Sequence, residues 1–307
     1  MSRVKEISFL SRDRMITGVL FIRFLYPLRD IRQAVAAMAG AIAPLIPVPC
    51  RPFGMTDPVS LIPHPLLQFS MDPVIEKIQK DLKETADPAI RETSRRFFRE
   101  EIQCYGIKTA AVVAIAKKYW KEVKPRDKKE IFSLCEELYT SGYMEEGFIV
   151  SAWAQNLADR FEPEDLGVFR HWIDTYITNW AACDGFCNHA VGDFIEKYPE
   201  CVVELKRWTQ SPNRWMRRAA AVSLIVPAKR GKFLDDVMAI ADLLLTDKDD
   251  MVQKGYGWLL KEASREHQDE VFSYVMQNKK VMPRTALRYA IELMPKNLKA
   301  EAMKKDW

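Results

Sequence analysis

The chain has 307 residues, 48% hydrophobic and 29% charged, enough to bury a substantial core as one large domain or two. Only 12 glycines and few β-branched runs argue against a sheet protein. The net charge of +4 (46 basic, 42 acidic) arises entirely in residues 1–70, which hold 8 basic and 4 acidic residues; residues 71–307 carry 38 of each. Bulk charge therefore argues for no nucleic-acid partner, and any such argument must rest on where the basic residues lie.

Residues 1–70 contain 8 of the 17 prolines. Their apolar stretches, Met15 to Leu28 and Ala34 to Val48, are broken by Arg23, Pro27, Pro44 and Pro47, so neither supplies the roughly 20 apolar residues of a membrane span. A signal peptide fits poorly because Arg23 splits its apolar core. The segment is expected to be a disordered extension or, preferably, upstream sequence outside the native protein. Met71-Asp72-Pro73 reads as a natural start, with Asp as cap and Pro in the first helical turn.

From Asp72 onward the apolar residues recur at helical spacing. The pattern predicts helices at 72–84, 88–103, 109–121, 126–141, 145–160, 164–178, 182–197, 199–210, 213–226, 232–245, 248–265, 268–278, 283–293 and 297–305. Asp87-Pro88, Glu162-Pro163, Tyr198-Pro199, Ser211-Pro212 and Met282-Pro283 mark starts. Short connections make successive helices antiparallel neighbours. Helix pairs recurring every 35–40 residues predict an all-α fold, a HEAT-like α-solenoid, with a compact irregular bundle as the alternative.

The cysteines Cys50, Cys104, Cys135, Cys183, Cys187 and Cys201 form no metal-type pattern, and the expectation is reduced, partly buried thiols in a cytoplasmic protein. His171, His189 and His267 show no metal or triad partner pattern. Trp120, Trp153, Trp172 and Trp208 read as core. Trp180 and Asp184 stand four residues apart, on one helix face one turn from each other, an aromatic wall beside a lone carboxylate. On local grounds Asp184 reads equally well as the cap of a helix starting near Gly185. Gly255 and Gly257 flank Tyr256 just before Trp258 and point to a close approach, by packing or by DNA. Arg214, Arg217 and Arg218, with Arg230, Lys232, Lys254, Lys261, Arg284 and Arg288, form a basic series over successive repeats. They read either as a solvated face or as one concave surface for a phosphate backbone.

Four segments, in order, carry a family resemblance. They are Phe97–Thr109 with its Gly106-Ile107-Lys108-Thr109 turn, Asn179–Glu200, Asn213–Ala221 with Trp215, Arg218, Ala219 and Ala220, and Gln253–Glu262 with Gly257-Trp258. Together they resemble the AlkD-type DNA alkylation-repair glycosylases from about Met71 to the C-terminus. The resemblance implies a monofunctional glycosylase that releases cationic alkylpurines, 3-methyladenine and 7-methylguanine, from double-stranded DNA. It implies Asp184 as the catalytic carboxylate, Trp180 and Trp258 as aromatics flanking the lesion, and Arg218 holding the DNA backbone. Arg217, Arg214, Lys254, Lys261, Lys108, Arg284 and Arg288 complete the expected DNA-binding set. No cofactor, metal or membrane is implied, and a monomer is expected. Phe97 and Lys108 depart from the Tyr and Gln of a well-known member, and Lys261 stands where Arg is common. Such chemistry needs no strong general acid, because the alkylated base already carries positive charge; it needs a carboxylate for the oxocarbenium-like sugar. The rivals are a non-catalytic binder of distorted or branched DNA and a protein-interaction scaffold.

Overall fold

The computed structural model describes residues 71–305. The expectation for residues 1–70 lies outside the described residues. Those described are all-helical, with one isolated bridge between Gln103 and Tyr143 and no strand. The helices are α1 Pro73–Thr85, α2 Pro88–Phe97, α3 Thr109–Val123, α4 Lys128–Thr140, α5 Met144–Asn156, α6 Asp165–Tyr176, α7 Trp180–Phe186 and α8 Gly192–Lys197. They continue as α9 Val202–Trp208, α10 Arg214–Val222, α11 Ile225–Ala228, α12 Leu234–Leu244, α13 Asp250–Ala263, α14 Gln268–Asn278, α15 Arg284–Ala290 and α16 Lys296–Met303. None is long and apolar enough to cross a membrane.

The helices stack in two rows. One runs α3, α5, α7, α10, α13, α15, each packed on the next; in the other α4 packs on α6, α9 on α12 and α14 on α16. Pairs such as α4–α5, α9–α10 and α12–α13 join the rows. This is how paired helices at a 35–40-residue period bury an apolar face that no single pair could cover. The first row carries the candidate residues, since Asp184, Arg218, Trp258 and Arg288 come from its successive members.

Aspartates cap several starts, Asp87 as its Asp-Pro pair predicts. Asp87 accepts the N–H groups of Ala89 and Ile90, Asp127 that of Lys129, and Asp249 those of Met251 and Val252. Several predicted helices are shortened or interrupted. The 88–103 helix ends at Phe97, and the chain crosses to Thr109 through a loop turned at Gly106, whose φ of 87° suits glycine. A Cβ there would meet Arg91 N and Asp87 O at 2.5 Å. Buried Glu145 fixes this loop by accepting the N–H groups of Tyr105, Gly106 and Ile107 at 3.0, 2.9 and 3.2 Å. The 182–197 helix starts earlier, at Trp180, and is divided by a π turn at Cys187–Val191. The 213–226 helix breaks after Val222.

Trp153 and Trp172 are fully buried and Trp208 nearly so, whereas Trp120 is only half-buried. Trp172 sits among Phe132, Tyr139, Phe169 and Phe186, an aromatic core beneath α7.

Candidate active site

Asn179 begins the site. Its side chain accepts the Ala182 N–H at 2.9 Å and caps α7. Asp184 therefore lies in the second turn of α7 and is not the cap of a helix starting at Gly185. Its side chain is buried, at 2% exposure, and faces α10. There Arg218, 5% exposed, meets it in a fork: Nε to Oδ1 at 2.8 Å and Nη2 to Oδ2 at 2.7 Å. The third guanidinium nitrogen, Nη1, donates to the Met251 carbonyl of α13. Burial pushes the Asp184 carboxyl above its ordinary value, against the pull of the Arg218 charge. Burial works against the Arg218 charge too, but Asp184 more than offsets it and the guanidinium is held more firmly in its charged form.

Each of the three Arg218 nitrogens has a partner inside the protein, so the buried guanidinium is first of all the partner of Asp184, whatever contact it makes with a DNA backbone. Cys183 lies alongside, its thiol donating to the Trp215 carbonyl at 3.7 Å. Tyr289 of α15 is the neighbour that sequence reasoning missed. Burial pushes its phenol up to about 12, with Arg218 pulling down and Asp184 among the charges raising it. No periodic or motif signal marks Tyr289; it reaches the site because α15 lies very close to α13.

Gly257 permits that approach. A Cβ there would stand 2.7 Å from the Ala286 carbonyl oxygen and 2.8 Å from Tyr289 Cβ. At Gly255 a Cβ would meet the Arg218 side chain at 3.4 and 3.5 Å and Val222 at 3.7 Å. Packing within the protein thus accounts for Gly257, whereas Gly255 has room for a methyl group. Met251, Gly255 and Trp258 share one stripe of α13, so half-buried Trp258 lies one turn beyond the Arg218 contact.

Trp180 is half-buried and leads into an aromatic shelf. Its ring stacks on Phe98 (centroids 5.4 Å apart, 23° between planes) and tilts against Phe97 at 5.7 Å. Phe97 is exposed. The shelf forms because α2 stops at Phe97 and the Glu145-held loop returns the chain toward α3.

Most of the expected DNA-binding cations are committed to carboxylates. Arg217 donates to Asp247 at 2.7 Å and to the carbonyls of Ser211 and Pro212. Arg214 lies 3.0 Å from Asp249 and 3.5 Å from Glu100, over the Trp215 ring. Lys254 pairs with Asp250 at 3.1 Å, and buried Lys261 with Glu292 at 3.3 Å. Arg284 donates to the Met303 carbonyl. Lys108, before α3, and Arg288, on α15, are exposed and make no ion pair among the described residues.

A family model described as DNA alkylation repair enzyme matches residues 78–294. No curated protein matches the chain. Among solved structures, a "predicted DNA alkylation repair enzyme" from Enterococcus faecalis superposes with a TM-score of 0.63 at 18% identity, over 69% of this chain and 98% of that one. The smu.31 protein of Streptococcus mutans UA159 gives a TM-score of 0.48 at 19% identity, over 72% of this chain and 98% of that one. The first likeness bears on the fold.

Proposed function

The chain belongs to the DNA alkylation repair enzyme family, and on that premise we propose that it is a DNA glycosylase hydrolysing the N-glycosidic bond of cationic alkylpurines in duplex DNA. The observation that carries the reading is a buried carboxylate, Asp184, one helical turn from Trp180, whose ring continues into the Phe97–Phe98 shelf. Alkylation at N3 of adenine or N7 of guanine gives the base its positive charge before the enzyme acts. Bond breaking then transfers positive charge to the sugar, and a carboxylate in a low-dielectric setting stabilises it and orients the attacking water. Trp180 and Trp258 offer electron-rich faces to the same cation. The Arg218 fork holds the Asp184 carboxylate in one orientation and favours its ionised form, which this role requires. Incubation with methylated duplex DNA and mass identification of released bases tests the reading: free 3-methyladenine or 7-methylguanine is expected, and intact DNA after prolonged incubation would refute it.

One observation favours a second reading, a non-catalytic binder of distorted DNA. Both Asp184 oxygens are occupied by Arg218 and the carboxylate is closed to solvent, as in a structural ion pair. The two readings part on base release by a protein that binds DNA.

A further inference from the structure

Arg91 and Arg95 stand one turn apart on α2, a helix none of whose residues is buried. They border an open cavity of about 530 Å³, walled by the 101–104 segment and Tyr143. Arg91 is held from behind, its Nε donating to the Tyr105 carbonyl at 3.1 Å. Its two terminal nitrogens have no partner among the described residues, and Arg95 makes no ion pair there. Several arginines elsewhere are matched to acids: Arg214 to Asp249, Arg217 to Asp247, Arg218 to Asp184, Arg230 to Glu196. Among the residues lining this cavity two arginines face one exposed carboxylate, Glu101, while buried Glu145 lies behind the wall with its oxygens taken up by the loop amides.

The wall is pre-organised. Gln103 bridges to Tyr143 and accepts the Met144 N–H at 2.9 Å. Tyr143 stacks on Tyr105 at 4.0 Å, and Glu145 clasps the backbone from Tyr105 to Ile107. Two planar guanidinium forks over a polar floor suit a phosphate oxyanion, whereas a base would need apolar walls. The position suits a strand. Arg95 and Arg91 precede Phe98 by three and seven residues, about 4.5 and 10 Å along the helix axis. That is about one to three nucleotide steps at 3.4 Å per strand, and Phe98 stacks on Trp180 in the candidate site.

The geometry points to a phosphate subsite: Arg91 and Arg95 clamp a backbone phosphate of the DNA strand that passes the Phe98–Trp180 shelf. This rests on the DNA-acting reading above. The test compares the full chain with its R91Q/R95Q and R91K/R95K variants, measuring affinity for an undamaged duplex against salt, with thermal melts to confirm folding. Losing one phosphate contact should flatten the slope of log affinity against log salt by about 0.9 and weaken binding about eightfold at 0.1 M salt. The lysine variant should regain the slope. If the unmodified protein binds and the folded glutamine variant keeps its slope, the subsite is wrong while the DNA reading stands. If the unmodified protein binds no DNA, both fall. A deoxynucleoside monophosphate that binds the unmodified protein but not the glutamine variant, with the DNA slope unchanged, would identify a free-nucleotide pocket and overturn the strand assignment.

Discussion

Removing the Arg218 guanidinium tests what the Asp184–Arg218 pair does. Arg218→Met leaves an apolar chain of similar length and strands a carboxylate at 2% exposure with neither oxygen bonded to its former partner. Breaking a buried pair from one side costs about 3–5 kcal/mol. For a domain of about 235 residues each kcal/mol moves the melting temperature by about 2–4 °C, so the loss should be about 6–20 °C. The deficit should depend on pH. Burial already raises the Asp184 pKa, and Arg218 is what pulls it down. Without Arg218 it rises further, and the folded state then prefers the protonated acid. Below the ordinary carboxylate range both folded and unfolded forms are protonated and the penalty vanishes; it grows as pH rises through the folded-state value. Melts by circular dichroism should show a larger deficit at pH 8 than at pH 4.5. Adding Asp184→Leu removes the stranded charge and should recover most of the loss. A variant that melts with the unmodified protein at pH 8, yet shows a flattened salt dependence of DNA binding, would refute this and return Arg218 to the phosphate-holding role implied by the family resemblance.

Other outcomes follow from packing and burial. Gly257→Ala drives a methyl into the Ala286 carbonyl and Tyr289, at 2.7 and 2.8 Å, and should lower the melting temperature by several degrees, overpacking outweighing the gain in helix propensity. Gly255→Ala meets only ordinary contacts at 3.4–3.5 Å and should melt at or above the unmodified protein; the reverse order would show that α13–α15 packing is misjudged. Asp193 faces Gln155, Asp159, Glu196 and Arg230, and burial pushes its carboxyl from 3.8 up to about 6. Its folded-state pKa is raised, so stability falls as pH rises from about 4 to 6. Asp193→Asn should match the unmodified protein near pH 3.5 and exceed it by up to about 3 kcal/mol at pH 7.5. Taking the difference between the two proteins at each pH cancels the opposite slope from half-buried His189, whose pKa desolvation lowers to about 4. A constant difference across pH would show that Asp193 is not desolvated.

The helices were legible because their boundaries are written locally. Asp87-Pro88 carries a cap that acts within four residues, and the predicted 268–278 helix coincides with α14. What escaped depends on contacts distant in sequence. The stop at Phe97 follows from the Glu145 carboxylate, about forty residues away, capturing the loop amides. The π turn at Cys187–Val191 has no distinct periodic signature in so short a stretch. In the site, the Trp180–Asp184 spacing was readable because both residues lie on one helix. The Arg218 fork was not, because a basic run on a helix face looks the same whether its members reach solvent or a buried acid on a neighbouring helix. The pairing of Arg217 and Arg214 with Asp247 and Asp249 was hidden for the same reason. Tyr289 enters the site only through the close approach at Gly257.

If the Asp184 carboxylate drives base release, replacing it with an amide should stop the reaction. The unmodified protein and Asp184→Asn are incubated with methylated duplex DNA in single turnover, with DNA binding measured in parallel. The amide is nearly isosteric but cannot offset charge developing on the sugar. The folded variant should lose nearly all release of 3-methyladenine and 7-methylguanine while largely retaining its DNA affinity. Release at the unmodified rate by a variant that binds DNA would contradict that role of Asp184.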